Sequence, residues 1–195
     1  MKQALKGLSP ENNMELNYIL TTEDYLELQL YNMSQDEKYN KRQKIDRFRL
    51  PGLSLLFGLI LLFDDLHSIL AYVFIASAVL FFIFYPQWSA WFYKRMCKRQ
   101  VNENMKDYSP YNIKLLLGSD VIEVVTPRGH SYFNIHDIKD VTETGKYFFI
   151  MMNQFVCIVI PKEKIKEVEE LEKQLAVYEE NNNFPFIRNL SWQWK

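Results

Sequence analysis

Two long apolar runs separated by a pair of aspartates constrain this chain more than any other feature. From Leu50 to Phe63 no residue carries a charge, and from Leu66 to Tyr93 His67 is the one ionisable side chain apart from tyrosines. A helix that crosses a bilayer needs about 20 mainly apolar residues, with a lower limit near 17. The second run meets that length. The first is short, and only with Phe48 and Arg49 included does it approach that limit, Arg49 carrying its guanidinium back to the headgroups along an aliphatic stem. Pro51 suits the first turn of a helix, where its missing N–H has no partner to lose.

Asp64 and Asp65 decide how the runs are arranged. A carboxylate at the centre of a membrane helix costs about 2.5–3.5 kcal/mol. Placing both in the bend of a helical hairpin, at the far interface, avoids that cost. The flanks agree: Lys38, Lys41, Arg42, Lys44, Arg47 and Arg49 precede the first run, and Lys94, Arg95, Lys98 and Arg99 follow the second. The connection has neither Lys nor Arg, so the positive-inside rule puts both flanks in the cytoplasm and the turn outside. Tyr72, Tyr85, Trp88, Trp91 and Tyr93 supply interfacial aromatics. A buried hairpin in a soluble protein would show a polar face every 3.6 residues, and "ILAYVFIASAVLFFIFY" shows none. Asp64, Asp65 and His67 also form a weaker candidate metal or proton site, disfavoured because they sit at the edge of the apolar region rather than inside it. Ser54 and Gly58 form a small-xxx-small pair, and Ala71 and Ala78 share a face; such residues let helix backbones approach closely in lipid.

Composition narrows the function classes. A net charge of -1 and a pI near 6.3 over 195 residues give no basic field for nucleic acid. The mean hydropathy of -0.22 averages an apolar segment with polar flanks. Cys97 and Cys157 have no metal-ligand or disulfide spacing and read as reduced cytoplasmic thiols. The first thirty residues contain no signal-peptide core, so the internal apolar segment directs any membrane targeting.

Before the hairpin, Glu15–Leu20 alternates as a strand and "TTEDYLELQLYNMSQDEKYN" reads as a helix. Thr21 is its cap and Asp24 its capping-box partner. After the hairpin the period changes to two. Strands are expected at Asn112–Leu117, Asp120–Thr126, His130–Ile135, Ile138–Glu143, Lys146–Met152 and Phe155–Ile160, with turns at "LGSD", "TPRGH", "ETGKY" and "NQ". Val141, Phe148, Phe149, Ile150, Val156, Ile158 and Ile160 are the expected core of this antiparallel meander. "KEKIKEVEELEKQLAVYEE" then reads as an amphipathic helix with Ile165, Val168, Leu171, Leu175 and Tyr178 on its apolar stripe. A curved antiparallel sheet plugged by a terminal helix is a pleckstrin-homology (PH)-like arrangement. Six strands fall one short of seven, and Glu15–Leu20 is the candidate for the seventh.

Two stretches, "LTTEDYLELQLY" and "FNIHDIKDVTETGKYFFIMMNQFVCIVIPKEKI" (Phe133 to Ile165), resemble the YcxB-like family of small bacterial membrane proteins. The second follows the family pattern of an apolar residue, an aromatic, "DI", a Val, a Tyr-Phe-Phe strand and an Ile-Pro-Lys strand end, with His136 where a Trp is usual. The resemblance extends over most of Leu20 to Tyr178. It implies a two-helix membrane anchor with a PH-like cytoplasmic domain, and it brings no established activity and no catalytic residues.

The expected fold is therefore an α+β membrane protein: an N-terminal cytoplasmic strand and helix (1–47), a transmembrane hairpin (48–93, turn near 64–68), a basic juxtamembrane linker (94–109), a PH-like β domain with its C-terminal helix (110–180) and an aromatic tail (181–195). The location implied is the bacterial cytoplasmic (inner) membrane, multi-pass, with both termini in the cytoplasm.

Phosphate loops, nucleophile elbows, HExxH and paired-cysteine motifs are all missing from the sequence. His130, His136 and Asp137 are the nearest approach to a polar cluster, and Arg128 and Lys146 stand at turn tips where a phosphate-bearing ligand would fit by analogy of fold. No catalytic residue, cofactor or metal is expected. The candidate site residues are lipid-headgroup contacts at Lys41, Arg42, Lys44, Arg47, Arg49, Lys94, Arg95, Lys98 and Arg99. The tail residues Phe184, Phe186, Ile187, Leu190, Trp192 and Trp194 are expected to dock on the protein, return to the bilayer or bind a partner. The leading functional expectation is a non-enzymatic, membrane-anchored interaction or regulatory module whose partners are the lipid bilayer and a protein. The alternative is an accessory or channel-like component that oligomerises through Ser54 and Gly58.

Overall fold

The computed structural model describes residues 14–106, 110–152 and 156–194. The expected "NQ" turn and Phe155 lie outside the described residues. The chain divides into two compact units, Met1–Tyr25 with Asn104–Trp192 and Leu26–Glu103 with Gln193–Lys195.

The first unit is built on two four-stranded sheets. One has the order β1 (Met14–Leu20), β2 (Tyr111–Leu117), β3 (Val121–Thr126), β4 (Gly129–Asn134), antiparallel throughout. The other has the order β7 (Cys157–Pro161), β6 (Tyr147–Met152), β5 (Ile138–Thr144), β8 (Phe186–Asn189). Strand β1 pairs with β2 from Met14 opposite Leu117 to Leu20 opposite Tyr111, so the N-terminal strand joins the later sheet across the whole intervening hairpin.

Alternation explains the first sheet. Leu16, Tyr18 and Leu20 on β1, and Ile113, Leu115 and Leu117 on β2, point to one buried face, while their neighbours remain accessible. The second sheet is covered on both faces at its centre, with Phe148, Phe149 and Ile150 all buried in sequence.

The expected single meander is corrected to two sheets, because β4 and β5 do not pair. The Asn134 side chain accepts the His136 N–H at 2.9 Å and Ile135 N–H donates to the Asp120 carbonyl, which folds Ile135–Asp137 into a 3-10 turn. Ile135 is buried there, so a residue read as a strand end becomes a corner. Of the expected core, Val156 is the exception, 38% exposed beside β7.

The helix expected from Lys162 also starts later. Lys162 N–H donates to the Lys146 carbonyl, Lys162–Lys164 forms a 3-10 turn and Ile165 is extended. The helix, α4, runs Val168–Asn182 and buries Leu171, Leu175 and Tyr178. Asn183 ends it in the left-handed conformation (φ 54°) that asparagine tolerates. The tail then supplies β8, which lies parallel to β5 and was not foreseen as a strand. Gly145 permits the return of the chain: a Cβ there would sit 2.9 Å from the Leu190 carbonyl oxygen.

Helix α1 covers Thr22–Gln35. Its start has the expected capping box, Thr21 N–H and Oγ1–H both donating to Asp24 Oδ2. It stops short of the expected Asn40, because Asp36 caps a new helix by accepting the Lys38 N–H. That helix, α2, runs Glu37–Asp64 and α3 runs Ile69–Met105. Pro51 is therefore interior to α2 rather than in its first turn, and the basic stretch after Tyr93 continues α3 rather than forming a separate linker. Only α3, among the described helices, is long and apolar enough to cross a membrane by length and composition.

Candidate functional site

In the second unit, α2 and α3 form a hairpin whose turn has the two aspartates. Asp65 N–H donates to the Leu61 carbonyl, and the Asp65 carboxylate accepts the His67 N–H at 2.9 Å. Asp64, Asp65 and His67 are exposed. Among the described residues no cluster of three His, Cys, Asp or Glu side chains is placed to hold a metal ion.

Small and polar side chains set the register of the two helices. Ser54 Oγ lies 2.7 Å from Ser77 Oγ and 3.0 Å from the Phe74 carbonyl. At Gly58 an added Cβ would meet Ile75 Cγ1 at 2.8 Å and the Ala71 carbonyl at 3.1 Å. Ala71 and Ala78 are buried. Further from the turn, the Arg47 guanidinium sits over the Phe82 ring at 4.9 Å, Gln43 Nε2–H donates to Ser89 Oγ at 3.0 Å, and Tyr39 meets Tyr93 edge-on at 4.9 Å. Trp194 stacks on Tyr39 and its Nε1–H donates to the Ala90 carbonyl. Trp194, one of the tail aromatics, thus docks on the protein, whereas Gln43 carries no signal in the sequence: a lone polar residue amid basic ones has no periodicity.

All nine candidate headgroup residues are exposed. Lys41, Arg42, Lys44, Arg47 and Arg49 lie on α2, and Lys94, Arg95, Lys98 and Arg99 on α3. The register does not bring them to one level. Tyr93 is opposite Tyr39, so the α3 group starts beyond the level of the whole α2 group. Arg42 pairs with Asp46 at 3.7 Å, Arg99 with Glu103 at 2.8 Å, and Arg95 lies 5.3 Å over Trp91.

The first unit buries its charges in pairs. Asp24, 2% exposed, accepts from Thr21, from Tyr147 Oη at 3.2 Å and from Lys164 Nζ at 2.6 Å. Glu143, also buried, has Lys162 Nζ at 2.6 Å and Arg188 Nε at 3.5 Å, and Arg188 also reaches Glu172 of α4 at 3.4 Å. These ion pairs join strand ends, α4 and β8. Of the expected polar cluster, His130 pairs with Glu123 across β3 and β4 at 2.9 Å, while His136 lies in the corner turn without joining it. Burial pushes the Cys157 thiol up to about 12, with the nearby Asp140 carboxylate adding to the effect, which favours the protonated thiol at neutral pH.

No curated protein and no solved structure matches the chain. The family match begins at the end of β2 and stops in the middle of α4, leaving "LTTEDYLELQLY" and the hairpin outside it. Over residues 117–175, which build β3 to β7 and the first half of α4, the chain matches the model of the YcxB-like protein family.

Proposed function

We propose that the protein is a membrane-anchored, non-enzymatic interaction or regulatory module. In this reading the α2–α3 hairpin is embedded in the cytoplasmic membrane with its aspartate turn outside. The first unit is a PH-like domain at the cytoplasmic face, and it engages a protein partner. One observation carries the reading. The large exposed apolar side chains concentrate on the hairpin, where Leu53, Leu56, Phe57, Ile60, Val73, Leu80, Phe81 and Phe84 are each about half exposed and Phe63 is 92% exposed. Soluble monomers rarely leave a continuous apolar patch larger than a few hundred Å² in water. The exposed basic residues at the end opposite the turn support the orientation.

The channel-like alternative relied on Ser54 and Gly58 for assembly. Both face α3 of the same chain, which favours a self-contained anchor. The test is labelling of intact cells with a membrane-impermeant thiol reagent. Asp65→Cys should react and Gln100→Cys, exposed on α3, should not. The reverse pattern, or recovery of the chain in the soluble fraction, rejects the reading. Cys97 is unsuitable as the inner control because it is buried. Capture from solubilised membranes then tests for the protein partner.

A further inference from the structure

The hairpin register pairs two unequal apolar runs. On α2 the uncharged stretch covers only 50–63, since Arg49, Arg47 and Asp46 come next towards its N-terminus. On α3 it continues to Tyr93, but beyond Phe82 the neighbours across the hairpin are the charged and polar turns of α2. Arg47 lies on Phe82, and Gln43 bonds Ser89.

Helices rise 1.5 Å per residue, so 50–63 spans about 21 Å. On the other helix the stretch from Ile69 to Phe82, the level of Arg47, also spans about 21 Å. A typical bilayer has a hydrocarbon core about 30 Å thick. Two of the bounding charges are held in place rather than free to reach outwards: the Arg47 guanidinium rests on an aromatic ring, and the Asp65 carboxylate is engaged by the turn.

Resting on the membrane reading above, we infer that the hairpin is matched to a thin hydrocarbon layer of about 20 Å and binds preferentially to bilayers of short acyl chains. The aromatic continuation of α3 then enters the headgroup layer at Tyr85, three residues or about 4.5 Å past Phe82, where Trp and Tyr are favoured. The α2 basic residues contact the headgroups. Lys94 is eleven residues past Ile83, the neighbour of Phe82, and so stands about 16 Å further out, beyond the headgroup layer.

The experiment uses the full chain, purified in detergent and reconstituted into phosphatidylcholine vesicles with a constant fraction of phosphatidylglycerol. The acyl chains are monounsaturated with 14, 18 or 22 carbons. Flotation together with protease protection gives the inserted fraction. Insertion should be about tenfold higher with 14 carbons than with 22. Arg47→Leu/Arg49→Leu extends the uncharged run of α2 and should move the optimum to 18 carbons. Equal insertion at all three lengths, or an optimum at 18 or 22 carbons for the natural chain, overturns the inference while leaving the membrane anchor standing. Insertion at no length overturns the anchor itself.

Discussion

Lys164 Nζ lies 2.6 Å from Asp24 Oδ2, fastening the first turn of α1 to the 3-10 turn that precedes α4. The carboxylate is almost fully buried, whereas the lysine side chain is about one-third exposed. Their contributions to stability are therefore unequal. Asp24→Ala removes the capping-box acceptor, the partner of Tyr147 and the partner of Lys164 together, and should cost about 2–4 kcal/mol. Lys164→Ala leaves the carboxylate with its hydroxyl and N–H donors and should cost about 1 kcal/mol. Urea unfolding of the full chain in detergent micelles measures both. A larger loss for Lys164→Ala would place the anchoring role on the lysine instead.

The hairpin contact at Gly58 is close enough to be tested by crosslinking. With the native cysteines replaced, Ser54→Cys and Ser77→Cys should form an intramolecular disulfide on oxidation, since their hydroxyl oxygens are 2.7 Å apart. Gly58→Leu should reduce that crosslink several-fold, because its Cβ alone would clash with Ile75 and the Ala71 carbonyl. Gly52→Leu meets nothing within 4 Å and should leave it unchanged. Crosslinks between chains in place of those within a chain would revive the oligomer reading.

Leu175 is completely buried on α4, and Glu169 is exposed on the same helix. Leu175→Asp puts a carboxylate into an apolar site and should destabilise the protein by about 4 kcal/mol, while Glu169→Ala should stay within about 0.5 kcal/mol of the parent. Limited proteolysis of the full chain in micelles gives the comparison. Equal resistance of Leu175→Asp and the parent would mean that α4 does not seal the core.

Alkaline pH should loosen the first unit. Burial raises the Cys157 thiol to about 12, and burial raises the hydroxyls of Tyr18 and Tyr25 as well. In the unfolded chain these groups ionise near their ordinary values, so the unfolded state binds fewer protons above about pH 9. Stability should be flat through neutral pH and fall as pH rises from about 9 towards 12. Iodoacetamide should leave Cys157 unmodified at pH 8 in the folded chain and modify it once urea is added. Rapid modification of the folded chain at pH 8 would contradict the enclosure of this thiol.

Local patterns in the sequence determined much of the architecture. Alternation at Leu16, Tyr18 and Leu20 marks β1, the Thr21–Asp24 box marks the start of α1, and the aspartate pair marks the bend between two apolar helices. Each of these signals lies within a few residues, where backbone geometry links side-chain type directly to conformation. The tertiary structure alone decided three other matters. Ile135 became a corner rather than a strand end because it found a buried site in a turn packed beside α4. Phe186–Asn189 became a strand because β5 offered an unpaired edge, and Arg188 could pair with the enclosed Glu143. The two basic groups of the hairpin came to lie at different levels because Ser54, Gly58 and Gln43 fix the register between α2 and α3. Contacts of this kind join residues far apart in the chain, and their energies depend on a partner that no local window contains.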